Sequence, residues 1–208
     1  MRRLSNEEFL KLVEAGNETP NREFKSPFSW KNRQTWRLKE KVIKTILSFA
    51  NTKDGGDILI GVKDDANAPD RFCGLSSTQL NSFSDYDSLK GIIDGFASPT
   101  VRFDVVEGHI LAKKFVVIHV SEFDDIPVIC RKDGGDRGAI LRKGDIYARS
   151  KSGQPSTVKV TDLELREIIE MAVTKYVNKL GKIGILGGGR LRSLLAEVSR
   201  RFRMHQDD

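Results

Sequence analysis

Cysteine and histidine are scarce in this chain of 208 residues: two cysteines, Cys73 and Cys130, and three scattered histidines, with no metal-ligand spacing. That argues against a zinc module or a disulfide scaffold, and a reducing cytoplasm is the simplest setting. No apolar run approaches the ~20 residues a membrane-crossing helix needs. The start, Met1-Arg-Arg-Leu-Ser-Asn-Glu-Glu8, lacks a signal-peptide core. A cytoplasmic protein without membrane contact is therefore expected. The phosphate loop Gly-x-x-x-x-Gly-Lys-Ser/Thr is absent, and no helix follows Gly55-Gly56 to hold a phosphate at its N-terminus. A nucleotide hydrolase is poorly supported. Gly-x-Ser-x-Gly and any Cys/His pairing are absent too, which argues against acyl transfer.

What the chain does have is positive charge and one dominant block. Lys and Arg number 35 against 29 Asp and Glu, giving a net charge of +6 and a pI near 9.3, which favours an anionic partner. Apolar content of 38% and charged content of 31% suit a globular protein. One domain is expected over residues 1–180, with a Gly-rich joint and a basic amphipathic helix over 181–208. The block runs from Lys44 to Asp65. Leu38, Val42, Ile46, Leu47 and Phe49 give a helix an apolar face, and Gly55 and Gly56 supply the break. Ile58-Leu-Ile60 with Val62 reads as a central strand covered on both faces. It ends in Asp64 and Asp65, which form either a polar turn or a rigidly held carboxylate that reaches solvent.

Upstream, Ser5-Asn-Glu-Glu8 reads as a capping box for a helix carrying Phe9, Leu10, Leu12 and Val13, with Gly16 as its stop. Pro20 forbids a continuing helix, and Arg22–Lys25 reads as a strand with Glu23 and Lys25 on one face. Trp30 and Trp36 interleave with Lys31, Arg33 and Arg37, which suits a base-stacking surface or a loop folded over the core. Downstream, the pattern predicts a loop over Pro69–Asn81, a helix capped by Asp85 or Asp87, and a strand on Val101, Phe103 and Val105. A hairpin turn is expected at Glu107-Gly-His109, then a core strand over Lys114–Val120 and a short edge strand over Ile126–Arg131. Ala139–Arg142 with Asp145–Arg149 reads as a last hairpin, and Thr161 caps a helix to about Leu180. This order predicts an α+β fold, a mixed, mostly antiparallel sheet flanked by helices. In the tail, Gly184 and Gly187–Gly189 form a joint before a helix with Leu191, Leu194, Leu195, Val198 and Phe202 on one face and arginines around the rest. Such a helix grips nucleic acid, or docks on a partner or a second copy.

Three segments together carry a family resemblance: Glu18-Thr-Pro-Asn-Arg-Glu-Phe-Lys25, Ser48-Phe-Ala-Asn-Thr-Lys-Asp-Gly-Gly-Asp-Ile-Leu-Ile-Gly-Val-Lys-Asp-Asp65 and Ile146-Tyr-Ala-Arg-Ser-Lys-Ser-Gly153. In that order they resemble the Schlafen AlbA-type domain, over roughly residues 15–172. The nuclease members of that family use three acidic residues, and the matching positions here are Glu18, Glu23 and Asp64. The resemblance implies that these hold Mg²⁺ or Mn²⁺, because clustered carboxylates repel one another unless cations neutralise them. Lys25, on the same strand face as Glu23, is expected to stabilise charge on the phosphate, Tyr147 and Arg149 to contribute to the backbone groove, and Arg33, Arg37 and Lys151 to join them as nucleic-acid contacts. The eukaryotic nuclease members join two such lobes in one chain and carry a zinc site. This chain has one lobe and no zinc ligands, which suggests a homodimer with the tail helix as its contact.

Three functions remain open on the sequence. The first is a metal-dependent endoribonuclease cutting structured, tRNA-like RNA in stress or phage defence, with RNA preferred to DNA as partner. The second is a non-catalytic DNA- or RNA-binding regulatory module, and the third a nucleotide-binding protein.

Overall fold

The computed structural model describes residues 1–13, 18–65, 67–150, 156–183 and 188–203. The expected helix stop at Gly16 and the joint residues Gly184 and Gly187 lie outside the described residues. In chain order the first elements are β1 (Arg2–Arg3), α1 (Asn6–Val13), β2 (Arg22–Lys25), α2 (Trp36–Ala50, entered through a 3-10 turn at Arg33–Thr35) and β3 (Gly56–Ile60). Then come α3 (Ser77–Asn81), α4 (Tyr86–Asp94), β4 (Ala97–Ser98), β5 (Phe103–Ile110), β6 (Lys113–Val120) and β7 (Ile129–Cys130). The chain continues through α5 (Gly135–Gly138), β8 (Tyr147–Arg149), β9 (Thr157–Lys159), α6 (Asp162–Lys182) and α7 (Gly188–Arg203).

Five strands stand in the order β1-β5-β6-β3-β2. The long β5–β6 and β3–β6 ladders are antiparallel, and the outer pairs β1–β5 and β2–β3 are parallel. This is the mixed, mostly antiparallel α+β sheet that the pattern predicts. Side-chain alternation explains the continuous apolar run of β3. Ile58 and Ile60 enter one core with Val42, Ile46 and Phe49 of α2, while Leu59 enters a second with Phe9 and Val13 of α1. Between α2 and β3 the chain turns on Gly55, at φ +69°, where a Cβ would lie 2.0 Å from the Val120 carbonyl oxygen. Only glycine fits there. The predicted caps form: Ser5 with Glu8 on α1, Asp85 on α4 and Thr161 with Glu164 on α6.

Several expectations are corrected, each for a packing reason. Glu107-Gly-His109 is not the turn; β5 continues to Ile110, which pairs with Lys113. Gly108 serves close approach instead, since a Cβ there would lie 2.2 Å from the Phe9 ring. Pro69–Asn81 is not all loop, because Ser76 and Gln79 form the capping box that starts α3. Ala139–Arg142 does not pair with Asp145–Arg149: β8 pairs with β9, and the Arg142 amide bonds the Tyr147 hydroxyl instead of a ladder partner. The Ile126–Arg131 strand shrinks to β7, since the Val128 amide is taken by Asn51 Oδ1. The final helices also differ: α6 passes through Gly181, and α7 already starts at Gly188. A Cβ on Gly181 would lie 2.6 Å from Leu191, so α7 packs tightly on α6. Among the described residues, no helix is long and apolar enough to cross a membrane.

Candidate functional site

β2 is an edge strand whose register sets Glu23 beside Ile58 and Lys25 beside Ile60, so both project toward the α2 side. A tight turn precedes it, in which Thr19 and Arg22 exchange backbone hydrogen bonds of 3.2 and 3.0 Å. Asn21 anchors this turn to the α2–β3 connection, donating to the Lys53 and Gly55 carbonyls at 2.8 and 2.5 Å. The turn swings Glu18 back along the strand, where its Oε1 accepts from the Phe24 amide at 3.1 Å. Two glutamates five positions apart are thereby brought together at one sheet edge.

The charge on Glu23 is met from within the protein. Lys25 Nζ bonds its Oε1, and Arg149 Nη1 bonds its Oε2 at 2.6 Å. Arg149 comes from β8 and its side chain is only 2% exposed. A guanidinium buried that deeply needs partners on several sides. It also donates to Thr157 Oγ1 at 3.2 Å and the Thr19 carbonyl at 3.4 Å, lies 3.9 Å from Glu18 Oε2, and stacks 5.3 Å from the Phe49 ring centroid. The sequence carries no mark for Thr157. It does carry one for Arg149, which lies in the Ile146–Gly153 segment that carries the family resemblance.

Glu18 has a carboxyl pushed up to about 7, chiefly by burial and then by the negative charge of Glu23. The Phe24 amide and the Lys25 ammonium pull the other way, and the charge of Asp64 adds a smaller upward push. Asp64 itself is exposed, four residues past the end of β3 and two past the isolated bridge of Val62 with Phe72. The residues as arranged do not fit a shared divalent cation. Both oxygens of Glu23 carry protein cations, and no group of three His, Cys, Asp or Glu among the described residues gathers to hold a metal.

The other predicted contacts divide by exposure. Arg33 and Arg37 are exposed, on the 3-10 turn and the first turn of α2. Tyr147 and Arg149 are both buried, and their polar groups bond within the protein. The Tyr147 hydroxyl accepts from the Arg142 amide at 2.8 Å, burial pushes its ionisation up to about 12, and the Lys44 ammonium sits 4.9 Å above its ring. Trp30 is buried in the α2-side core, which settles that tryptophan as part of a loop folded inward, whereas Trp36 is exposed and donates to Glu40. Lys151 lies outside the described residues. A groove of about 660 Å³ flanks the cluster, running from Pro20 and Asn21 past Arg149 to Ile168 and Met171. A larger cleft, about 720 Å³, lies beside α1 and is lined by none of the predicted site residues.

Comparison with known proteins bears on this region. Residues 18–154 match the model of a family described as Schlafen, AlbA_2. No curated protein matches. Among solved structures, the DIP2311 protein from Corynebacterium diphtheriae is similar, with a TM-score of 0.47 and 18% identity over 78% of this chain and 28% of that one. The chain thus spans less than a third of that protein's length.

Proposed function

The chain belongs to the Schlafen AlbA_2 family, which points to a nucleic-acid-related function, and from that premise we propose that it binds and cleaves structured RNA at Glu18, Glu23, Lys25 and Asp64. The observation that carries the reading is the convergence of Glu18 and Glu23 on one edge strand with Lys25 between protein and solvent. Lys25 is the cation placed to meet a phosphate oxygen, since its side chain is 17% exposed while that of Arg149 is shut in. Glu18 is suited to take the proton of a water that attacks phosphorus as the bond to the leaving oxygen breaks, because a carboxyl near neutrality is partly ionised at physiological pH, and the leaving oxygen takes its proton from solvent. Recognition of a tRNA-like substrate rests on shape and phosphate contacts. A requirement for Mg²⁺ or Mn²⁺ belongs to the family resemblance, and the assay tests it without assuming it.

The test is incubation of the purified protein with total tRNA, with Mg²⁺, Mn²⁺ or EDTA, beside Asp64→Ala. Discrete fragments absent from Asp64→Ala support the reading, and the EDTA arm reports on metal. Intact RNA that shifts on a gel instead favours the non-catalytic binding module. One observation speaks for that second reading: Glu23 is already neutralised by Lys25 and Arg149. A homodimer through α7 is read by sedimentation of the same preparation, and here α7 already packs against α6 of its own chain.

A further inference from the structure

The mismatch between three carboxylates and the absence of a three-ligand cluster among the described residues has a cause in the structure. A divalent cation bound by carboxylates sits about 2.0–2.6 Å from their oxygens. At Glu23 those approaches are taken by Lys25 Nζ on Oε1 and by Arg149 Nη1 on Oε2. Arg149 cannot readily swing away. It is held by Thr157, the Thr19 carbonyl and the Phe49 ring, and it rides on β8, whose ladder to β9 fixes its backbone. A metal arriving at Glu23 would also meet two positive charges within contact distance, and the repulsion is strong where water is excluded. Glu18 offers little in exchange, since one of its oxygens is already engaged by the Phe24 amide.

We propose that Arg149, with Lys25, is a built-in counter-ion that closes the acidic site to divalent cations in the free protein. Arg149 is then a positioning residue: it sets Glu23 and Glu18 through their carboxylates and does not touch RNA. The inference rests on these carboxylates being the functional site, but not on whether RNA is cut.

The experiment titrates the free protein with Mn²⁺ and follows loss of the free-ion electron paramagnetic resonance signal. The wild-type chain is expected to take up no Mn²⁺ that depends on Glu23. Arg149→Gln and Lys25→Met are expected to raise Mn²⁺ affinity by about 5–150-fold, the range typical of an energetic coupling between two sites. Adding Glu23→Gln to either variant should abolish the gain. Circular dichroism reports whether Arg149→Gln folds, and Lys25→Met decides the matter if it does not. Wild-type uptake that Glu23→Gln removes would overturn the proposal. So would folded variants that gain nothing, because the two cations would then not be what excludes the metal. No arm contains RNA, so failure of the ribonuclease reading leaves this result legible on its own.

Discussion

Glu18 shows how a single residue's placement becomes a measurable property. Its carboxyl is raised from 4.5 to about 7, first by burial and then by Glu23. Between those two pH values the folded chain holds a proton that the unfolded chain has released. Stability therefore falls as pH climbs through that window, and the whole penalty is present above pH 7. Glu18→Gln keeps an oxygen for the Phe24 amide and removes the charge. It should raise stability by about 1–3 kcal/mol at pH 8 and change it little at pH 5. Thermal melts at the two pH values check this, and an equal shift at both would show that the charge is not the cause. At this scale the sequence was partly legible. The identities and spacing of Glu18, Glu23 and Asp64 could be read by resemblance, and alternation put Glu23 and Lys25 on one strand face. Alternation also puts Tyr147 and Arg149 on one face of β8, but it cannot say whether that face meets solvent or the core. Packing decided that, through Phe49 beneath Arg149 and Lys44 over Tyr147.

Elements were legible wherever one physical cause dominated. The amphipathic α2, the capped α4 and α6, and the buried β3 each carried a single consistent signal. Gly108 did not, because glycine marks a turn or a close approach with the same letter. Here it marks the approach of α1 to β5, with a Cβ position 2.2 Å from the Phe9 ring. Gly91 of α4 is the contrasting case, in a helix with nothing within 4 Å of its Cβ position. Gly108→Ala should therefore cost about 1–3 kcal/mol by overpacking. Gly91→Ala should stabilise by about 0.5–1 kcal/mol, by removing glycine's excess backbone entropy from a helix. Urea unfolding of both variants measures the pair. If both moved stability the same way, the packing of α1 on β5 would not be what selects glycine at position 108. The shortened β7 belongs to the same lesson: Asn51 ties Val128 and Tyr147 together across the fold, by hydrogen bonds no local pattern announces.

Over the whole molecule, the fold class followed from the order of helices and strands, whereas the parallel outer pairings of β1 and β2 did not. Hairpin-like spacing says nothing about which distant edge a short strand will join. The family match at residues 18–154 encloses the acidic cluster and β8 but leaves α1, α6 and α7 outside. The net charge of +6 is a property of the entire chain, and it acts on an anionic partner only through cations that reach solvent. Arg33 and Arg37 do reach it; Arg149 and the Tyr147 hydroxyl do not. If the protein holds RNA by its backbone, affinity should fall with salt in proportion to the number of phosphates it neutralises. Arg33→Ala with Arg37→Ala should flatten the plot of log K against log salt by about 0.7–0.9 for each phosphate no longer neutralised. Tyr147→Phe should leave both slope and affinity unchanged at temperatures well below its melt, because the hydroxyl serves the Arg142 amide and not the ligand. Fluorescence anisotropy of a labelled RNA over a salt series reads the wild type and both variants side by side. A slope untouched by the double arginine change would move the RNA path away from the start of α2. A slope altered by Tyr147→Phe would mean that RNA binding opens the β8 face, which in the free protein is closed over Lys44 and Phe49.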